Sequence, residues 1–408
     1  MARYAARARA ARRARTLPAY ACSSPAVAKS GVTTAGATDG TEDPGGREVD
    51  GPFSLLEGHE QVVYTSNEDA GLRCIIAIHS TALGPSLGGT RFFPYPDEEA
   101  ALVDVLRLSQ AMTYKAACAG LTLGGGKAAI IGDPETDKTE PLLRAYGRAI
   151  ESLNGRYITA CDVGTYPDDM AVVAEETRWA TGMDRAHGGS GDSGVTTAYG
   201  VFVAVRAVAE HLWGSDQLDG RHVAIQGLGK VGGRLARHLA EAGAKLTVAD
   251  IDADAVDRVV ARTGAEVVDP VDILEVDADI LSPNALGAVL SEQTIDRLGV
   301  AAICGGANNQ LATVEDAGRL QDRGILYAPD YVVNAGGLIQ VSDELRPGGY
   351  SEERAFRCAK RIGQTLRDIF DLAHELDVTT ELAAELVAER RIAAVGRLRS
   401  FYLRSRSR

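Results

Sequence analysis

Apolar and polar positions along this chain fall into blocks of two kinds. Short β-rich runs at Arg73–His79 (RCIIAIH), Ala128–Ile131 and Arg156–Asp162 (RYITACD) predict buried strands. Between the first two, Ala101, Val105, Leu108 and Met112 recur at i, i+4, i+7 and i+11. That is the apolar stripe of a helix, and it delivers Tyr114-Lys115. Gly84–Thr90 (GPSLGGT) and Val163–Asp168 read as turns. In the second half, Val195–Trp213 predicts a helix, His222–Gln226 a strand, Lys230–Ala242 a helix and Lys245–Asp250 a strand. Further strands are expected at Ile280–Leu281, Ala301–Cys304 and Ile325–Tyr327. Such alternation predicts an α/β fold built on a parallel sheet with right-handed crossovers. Helical patterns then run from Gly349 to Leu403, ahead of a basic tail, Arg399–Arg408.

Composition divides the chain further. Met1–Arg15 is almost wholly Ala and Arg, with six arginines, and resembles a transit peptide in composition. Residues 1–50 are expected to be a disordered or mis-assigned extension, with no apolar core of a secretion signal. The glycine-rich Gly188–Gly194 (GGSGDSG) is the strongest linker-like stretch. The expected units are therefore 1–50, 51–187, 188–345 and 346–408.

Charge and cysteine usage narrow the function. The net charge is −13 over 408 residues, and residues 1–50 carry eight basic and five acidic groups. The remainder is thus more acidic still, and an acidic body repels phosphate backbones, which argues against nucleic acid as a partner. No run of about 18 apolar residues marks a membrane span. Six scattered cysteines form no CxxC pair and seven histidines no HxxxH or HExxH pair, so no metal site is expected, and a cytoplasmic setting fits.

Gly227-Leu-Gly229-Lys230-Val231-Gly232 is a GxGxxG motif that follows a predicted strand and opens a predicted helix. Asp250 closes the next strand, in a unit of the length a dinucleotide-binding βαβ requires. Gly227 permits the tight turn, Gly229 lets backbone N–H groups approach a pyrophosphate, and Gly232 allows close helix–strand packing. Asp250 can accept from ribose hydroxyls and would repel a 2′-phosphate. Ile251-Asp252 supplies no cation, so NAD is expected over NADP.

Only seven of the 43 basic residues are lysines. Lys115 follows the amphipathic helix, and Lys127 follows three glycines and precedes an apolar run. A lysine in such a setting is partly desolvated, which lowers its pKa toward the range of a general base, as arginine cannot. Asp162 at a strand end is either a third functional group or a cap. A carboxylate anchor plus a lysine base suits oxidation at the Cα of an amino acid.

Several further segments occur in one order: LGPSLGGTRFFPY, MTYKAACAGLTLGGGKAAIIGDP, GRYITACDVGT, GLGKVGGRLARHL, GANNQLA and YAPDYVVNAGGLIQVSDEL. Together they resemble the glutamate/leucine/phenylalanine/valine dehydrogenase superfamily over Leu56–Glu344 and beyond, on its branched-chain side. The resemblance implies a substrate and oligomerisation domain, a doubly wound Rossmann domain for NAD, and C-terminal helices packing back across the cleft. It implies a homo-oligomer whose partners are an amino acid, its 2-oxo acid and ammonium. By the same resemblance Lys115 binds the α-carboxylate, Lys127 is the general base and Asp162 shuttles a proton at the amino group. The Gly88 carbonyl and Asn308–Asn309 orient substrate and nicotinamide. Leu87 stands where the glutamate branch has a lysine for the distal carboxylate, and Val341 where it has a hydroxyl. With Ala160 and Leu338 they imply an apolar pocket for a valine-, leucine- or isoleucine-type side chain. Phenylalanine, or a sensor without turnover, are the alternatives. Asn284 departs from the family, standing near the nicotinamide where a cysteine is usual.

Overall fold

The structure is a computed structural model that describes Leu56 and residues 58–398. The expectations for residues 1–50 and for the basic tail lie outside the described residues. The first sheet is built from β1 (Gln61–Asn67), β2 (Leu72–Ser80), β3 (Ser86–Phe93), β4 (Gly124–Ile131) and β5 (Tyr157–Cys161), in the order β1-β2-β4-β3-β5. It is mixed: β1 and β2 run antiparallel and β2 antiparallel to β4, while β3 is parallel to both β4 and β5. Helix α1 (Glu98–Cys118) joins β3 to β4, and α2 (Glu140–Ser152) joins β4 to β5. Helix α3 (Pro167–Ala174) follows β5.

Two sequence expectations are corrected here. GPSLGGT is not a turn beyond its first residues, since Ser86–Thr90 lie within β3. Its glycines serve close packing: a Cβ on Gly88 would stand 1.7 Å from the Gly126 carbonyl oxygen. The GGG run likewise belongs to β4, and a Cβ on Gly125 would stand 2.1 Å from the Thr113 nitrogen of α1. The apolar stripe of α1 is also shifted. Ala101 and Val105 are fully buried, but Leu108 and Met112 are only half-buried, and Ser109 and Thr113 continue the buried face. Small side chains there let the helix rest on a strand of glycines.

Period two then sorts the sheet into faces. Cys74, Ile76, Ile78, Phe92, Ala128, Ile130 and Tyr157 form one face, a core shared with Leu142, Tyr146 and Ile150 of α2 and with Met170 and Val173 of α3. The register Leu87↔Gly125, Leu87↔Ile158 and Gly89↔Ala160 puts Leu87, Gly89, Arg91, Lys127 and Ala160 on the opposite face.

The second sheet is wholly parallel, in the order β11-β10-β9-β6-β7-β8. Its strands are β6 (His222–Gln226), β7 (Lys245–Ala249), β8 (Glu266–Val267), β9 (Ala278–Pro283), β10 (Val300–Ile303) and β11 (Leu326–Tyr327). This is the doubly wound order, with β6 first and the chain reversing direction between β6 and β9. Helix α4 (Gly194–Trp213) precedes the sheet, and α5 (Gly232–Glu241), α6 (Ala253–Thr263), α7 (Glu292–Ile295) and α8 (Asp316–Asp322) connect its strands. Lys230 and Val231 lie in the turn before α5 rather than in the helix itself.

Helices α9 (Asp330–Val333), α10 (Gly336–Glu344), α11 (Glu352–Ala359), α12 (Arg361–Leu376) and α13 (Thr380–Leu398) follow the second sheet. They tie the sheets together. The Thr365 hydroxyl donates to the Cys118 carbonyl at 3.2 Å, and Thr380 donates to the Tyr327 carbonyl at 2.6 Å. Among the described residues no helix is long and apolar enough to cross a membrane, and no cluster of His, Cys, Asp and Glu could hold a metal.

Candidate active site

Lys127 and Asp162 meet over β3. The Lys127 ammonium contacts the Asp162 carboxylate, although β3 lies between their strands. Lys127 is 4% exposed, so its charge is almost wholly removed from water. Burial first, and then the Arg91 cation, push its ammonium down to about 7. Lys115 and Arg107 add to that fall, and the Asp104 carboxylate opposes it. Asp162 is held from below: its backbone N–H donates to the Thr165 hydroxyl at 2.9 Å, and its Oδ1 accepts from Val163 N at 2.6 Å. Arg91 Nε stands 3.7 Å from Asp162 Oδ1, and its guanidinium is fixed by a 2.7 Å bond to Asp104.

The same sheet face carries the expected pocket residues. Leu87 is fully buried and Ala160 nearly so. The Gly88 carbonyl accepts from the Tyr157 hydroxyl at 2.8 Å, which fixes its direction and leaves a second lone pair. Leu338, buried, and Val341, half-buried, lie one turn apart on α10. That helix is strapped toward β5. Thr181 donates from its hydroxyl to the Val341 carbonyl at 3.1 Å and from its backbone to the Thr159 carbonyl at 2.9 Å. The Glu344 carboxylate accepts from Gly182 N at 2.9 Å and Ser190 N at 2.8 Å. Gly336 lets α10 approach α4, because a Cβ there would stand 2.2 Å from the Thr196 carbonyl oxygen.

Lys115 reaches across to the second sheet's side. Its Nζ donates to Asn334 Oδ1 at 2.6 Å, and Asn334 Nδ2 donates to Asn308 Oδ1 at 2.7 Å. Burial pushes the Lys115 ammonium down to about 8, while the Asp330 carboxylate pulls it back up. Asp330 also accepts from Gln310 N at 2.8 Å, which orders the turn carrying Asn308 and Asn309. Asn309 sits at φ +52°, and its carbonyl accepts from Ala288 N at 2.6 Å.

The glycine loop has the shape a dinucleotide needs. Gly227 has φ +88°, and a Cβ on Gly232 would stand 1.9 Å from the Gly227 carbonyl oxygen. Gly229 faces open space, which leaves room for a ligand to reach the backbone. Asp250 lies just past β7; its Oδ2 accepts from Leu228 N and its Oδ1 from Asp252 N. Asn284 is committed to the backbone. Its Nδ2 donates to the Ser282 carbonyl at 2.9 Å and its Oδ1 accepts from Gly306 N at 2.9 Å, bonds a cysteine would not reproduce. Val231 leans over Gly306, where an added Cβ would meet its Cγ1 at 2.9 Å. Lys230 is exposed beside the loop.

Three groups at the site are not singled out from sequence: Arg91, Asn334 and Asp330. Arg91 follows GGT directly, and the alternation from Leu87 and Gly89 places it on their face. Asn334 and Asp330 fall in the motif YAPDYVVNAGG, but their link to Lys115 is purely tertiary.

Residues 59–179 match the family description "Glu/Leu/Phe/Val dehydrogenase, dimerisation domain", and residues 188–256 and 250–400 match "Glutamate/Leucine/Phenylalanine/Valine dehydrogenase". Leucine dehydrogenase of Bacillus cereus is 48% identical over 355 residues, covering 86% of this chain and 96% of the relative. Valine dehydrogenase of Streptomyces virginiae is 51% identical over 339 residues, covering 82% and 94%. The crystal structure of L-tryptophan dehydrogenase from Nostoc punctiforme superposes with a TM-score of 0.76 at 47% identity, covering 84% of this chain and 99% of that one.

Proposed function

The chain belongs to the glutamate/leucine/phenylalanine/valine dehydrogenase family as an NAD-dependent amino-acid dehydrogenase, and on that premise we propose that it oxidatively deaminates a branched-chain aliphatic L-amino acid. The products are the 2-oxo acid, ammonium and NADH, and the reaction is reversible. The observation that carries the substrate class is the wall beside the lysine–aspartate pair. Leu87 is buried on the sheet face that bears Lys127, with Ala160 near it. Burying an unpaired glutamate carboxylate against such a wall costs several kcal/mol, roughly 2–7 for even a neutral polar group. Leu338 and Val341 of α10 complete the apolar lining.

The loop Gly227–Gly232 with Asp250 would hold NAD, with Asn284 and Asn309 toward the nicotinamide. When bound, NAD supplies the hydride acceptor. The chain does the rest. Lys115, its charge favoured by the Asp330 carboxylate and its position fixed by Asn334, binds the α-carboxylate, and Asn308 and the Gly88 carbonyl fix the substrate's orientation. Lys127, neutral in a substantial fraction near pH 7, takes a proton from the water that attacks Cα after oxidation. Asp162 exchanges a proton with the amino nitrogen. Residues 51–187 act as the substrate domain and 188–345 as the cofactor domain, in a cytoplasmic homo-oligomer.

The test is NADH formation by the purified protein with L-valine, L-leucine, L-isoleucine, L-phenylalanine, L-tryptophan and L-glutamate. The expected result is a kcat/KM for an aliphatic substrate at least tenfold above the aromatic and acidic ones, lost in Lys127→Ala with NAD binding kept. Dominant turnover of an aromatic substrate would reject the pocket, and full turnover by Lys127→Ala would reject the base.

A further inference from the structure

Residues 179–182 run along the outer edge of β5. Thr159 N donates to the Trp179 carbonyl and Thr181 N to the Thr159 carbonyl, both at 2.9 Å, and Thr159 bridges Ala180 in parallel. This segment backs Ala160, since a Cβ on Gly182 would stand 3.7 Å from the Ala160 Cβ. The connection toward α4 then folds on itself, with Gly189 N donating to the Asp184 carbonyl at 2.8 Å, and returns at Ser190.

One side chain holds both ends of that connection. Glu344 stands three residues past Val341 on α10. Its Oε2 accepts from the Thr181 hydroxyl and from Gly182 N at 2.9 Å, and its Oε1 from the Ser190 hydroxyl and from Ser190 N at 2.8 Å. Thr181 and Ser190 are each 1% exposed. A carboxylate offers about four acceptor positions, and here all are met. Each oxygen faces one backbone N–H, which cannot turn away as a hydroxyl can. The Thr181 hydroxyl is shared with the Val341 carbonyl, 3.1 Å away. The neighbouring Asp343 turns elsewhere, to both arms of Arg354 and to Ser351 N, each at 2.7 Å.

We propose that Glu344 is a positioning residue for substrate selection: by fastening α10 to the edge of the first sheet, it sets the width of the side-chain pocket. The inference rests on the reading of Ala160, Leu338 and Val341 as walls of that pocket. Val341 and Ala160 belong to different elements, and hydrogen bonds link those elements through Thr181 and Glu344. Supporting bonds of this kind decide how precisely a pocket is held. Glu344→Gln breaks the link in either orientation of the amide, because one oxygen is replaced by an NH2 group that faces a backbone donor. The helix then withdraws from β5, and the pocket accepts bulkier side chains.

The experiment measures kcat/KM for L-phenylalanine and L-valine, with the KM for NAD, in the unmodified enzyme and in four variants. In Glu344→Gln the phenylalanine-to-valine ratio should rise at least about fivefold, less than the roughly 10–200-fold of a whole methylene because the wall moves without losing a side chain. The KM for valine rises while the KM for NAD stays unchanged. Thr181→Val should shift the ratio the same way, and combining it with Glu344→Gln should add little, since both cut one link. Asp343→Asn should lower the melting temperature and leave the ratio where it is. Val341→Ala widens the pocket directly and should raise the ratio as well. If it does, but Glu344→Gln and Thr181→Val leave the ratio unmoved or lower both substrates equally, the positioning role is overturned and the pocket reading stands. If Val341→Ala leaves the ratio unmoved, the pocket reading falls and the proposal with it. Should Glu344→Gln fail to fold, Thr181→Val decides alone.

Discussion

The ammonium of Lys127 and the carboxylate of Asp162 touch across an intervening strand, and they do so because β3 has no side chain at Gly89. A Cβ on Gly89 would stand 2.8 Å from Asp162 Cβ and 2.6 Å from the Cys161 carbonyl oxygen. The room over β3 that Gly89 leaves is what lets base and acid meet there. Gly89→Ala is therefore expected to fold but to push Asp162 aside, lowering kcat by about 10²-fold, the penalty of a misplacement near 1 Å. Steady-state kinetics with circular dichroism as a fold check decide this. A folded Gly89→Ala enzyme with unchanged kcat would show that the spacing is not used.

The two lysines set a pH profile with opposite signs. Lys127 acts as a base only when neutral, so activity appears as pH rises through about 7. Lys115 holds a carboxylate only when charged, so activity falls as pH rises through about 8. The kcat/KM for the amino acid should be bell-shaped, with limbs near these values in the free enzyme. Lys115→Arg should move the alkaline limb upward by more than two pH units, because arginine does not deprotonate in this range. An alkaline limb that stays in place would assign it to another group.

Much of this arrangement is legible in the amino-acid sequence, and what is not has a physical reason. The strand His222–Gln226, the loop after it and Asp250 are legible because a dinucleotide loop is local: its parts lie within one βαβ unit. Glycine misleads elsewhere. In Gly88-Gly89 and Gly124–Gly126 it marks close backbone approach inside strands, whereas sequence reading takes the same residue as turn punctuation. The buried face of α1 runs through Ser109 and Thr113, polar residues that an apolar stripe excludes by construction. Asn334 lies 219 residues from Lys115, so no window over the chain could join them.

Asn334 is expected to control the charge of Lys115 as well as its position. Its Oδ1 accepts from the charged ammonium, which favours the protonated form. Asn334→Leu removes that acceptor and also frees Asn308. The KM for the amino acid should rise by roughly 10-fold or more, the loss of one hydrogen bond to a charged group. The alkaline limb should move below 8. Asn334→Asp has the opposite sign, since a carboxylate stabilises the ammonium and carries the limb upward. Shifts in the same direction for both variants would mean that Asn334 acts only through packing.

On the proposed function, Leu87 separates substrate classes by burial. It is 1% exposed on the face that bears Lys127, and as a pocket residue it would meet the substrate side chain without water between them. A lysine at this position is itself costly to bury as a charge unless a partner arrives, and a glutamate side chain is that partner. Leu87→Lys should therefore lower kcat/KM for valine and leucine by about 10²-fold or more, the scale of an unpaired buried charge, and raise it for glutamate. Val341, placed in the same pocket by the proposed function, limits the gain, because it offers no hydroxyl to the second carboxylate oxygen. Leu87→Lys combined with Val341→Ser should exceed either single change on glutamate, with a coupling that a double-mutant cycle reads directly. If the two changes simply add, Leu87 and Val341 do not share a pocket, and the apolar wall lies elsewhere on the sheet face.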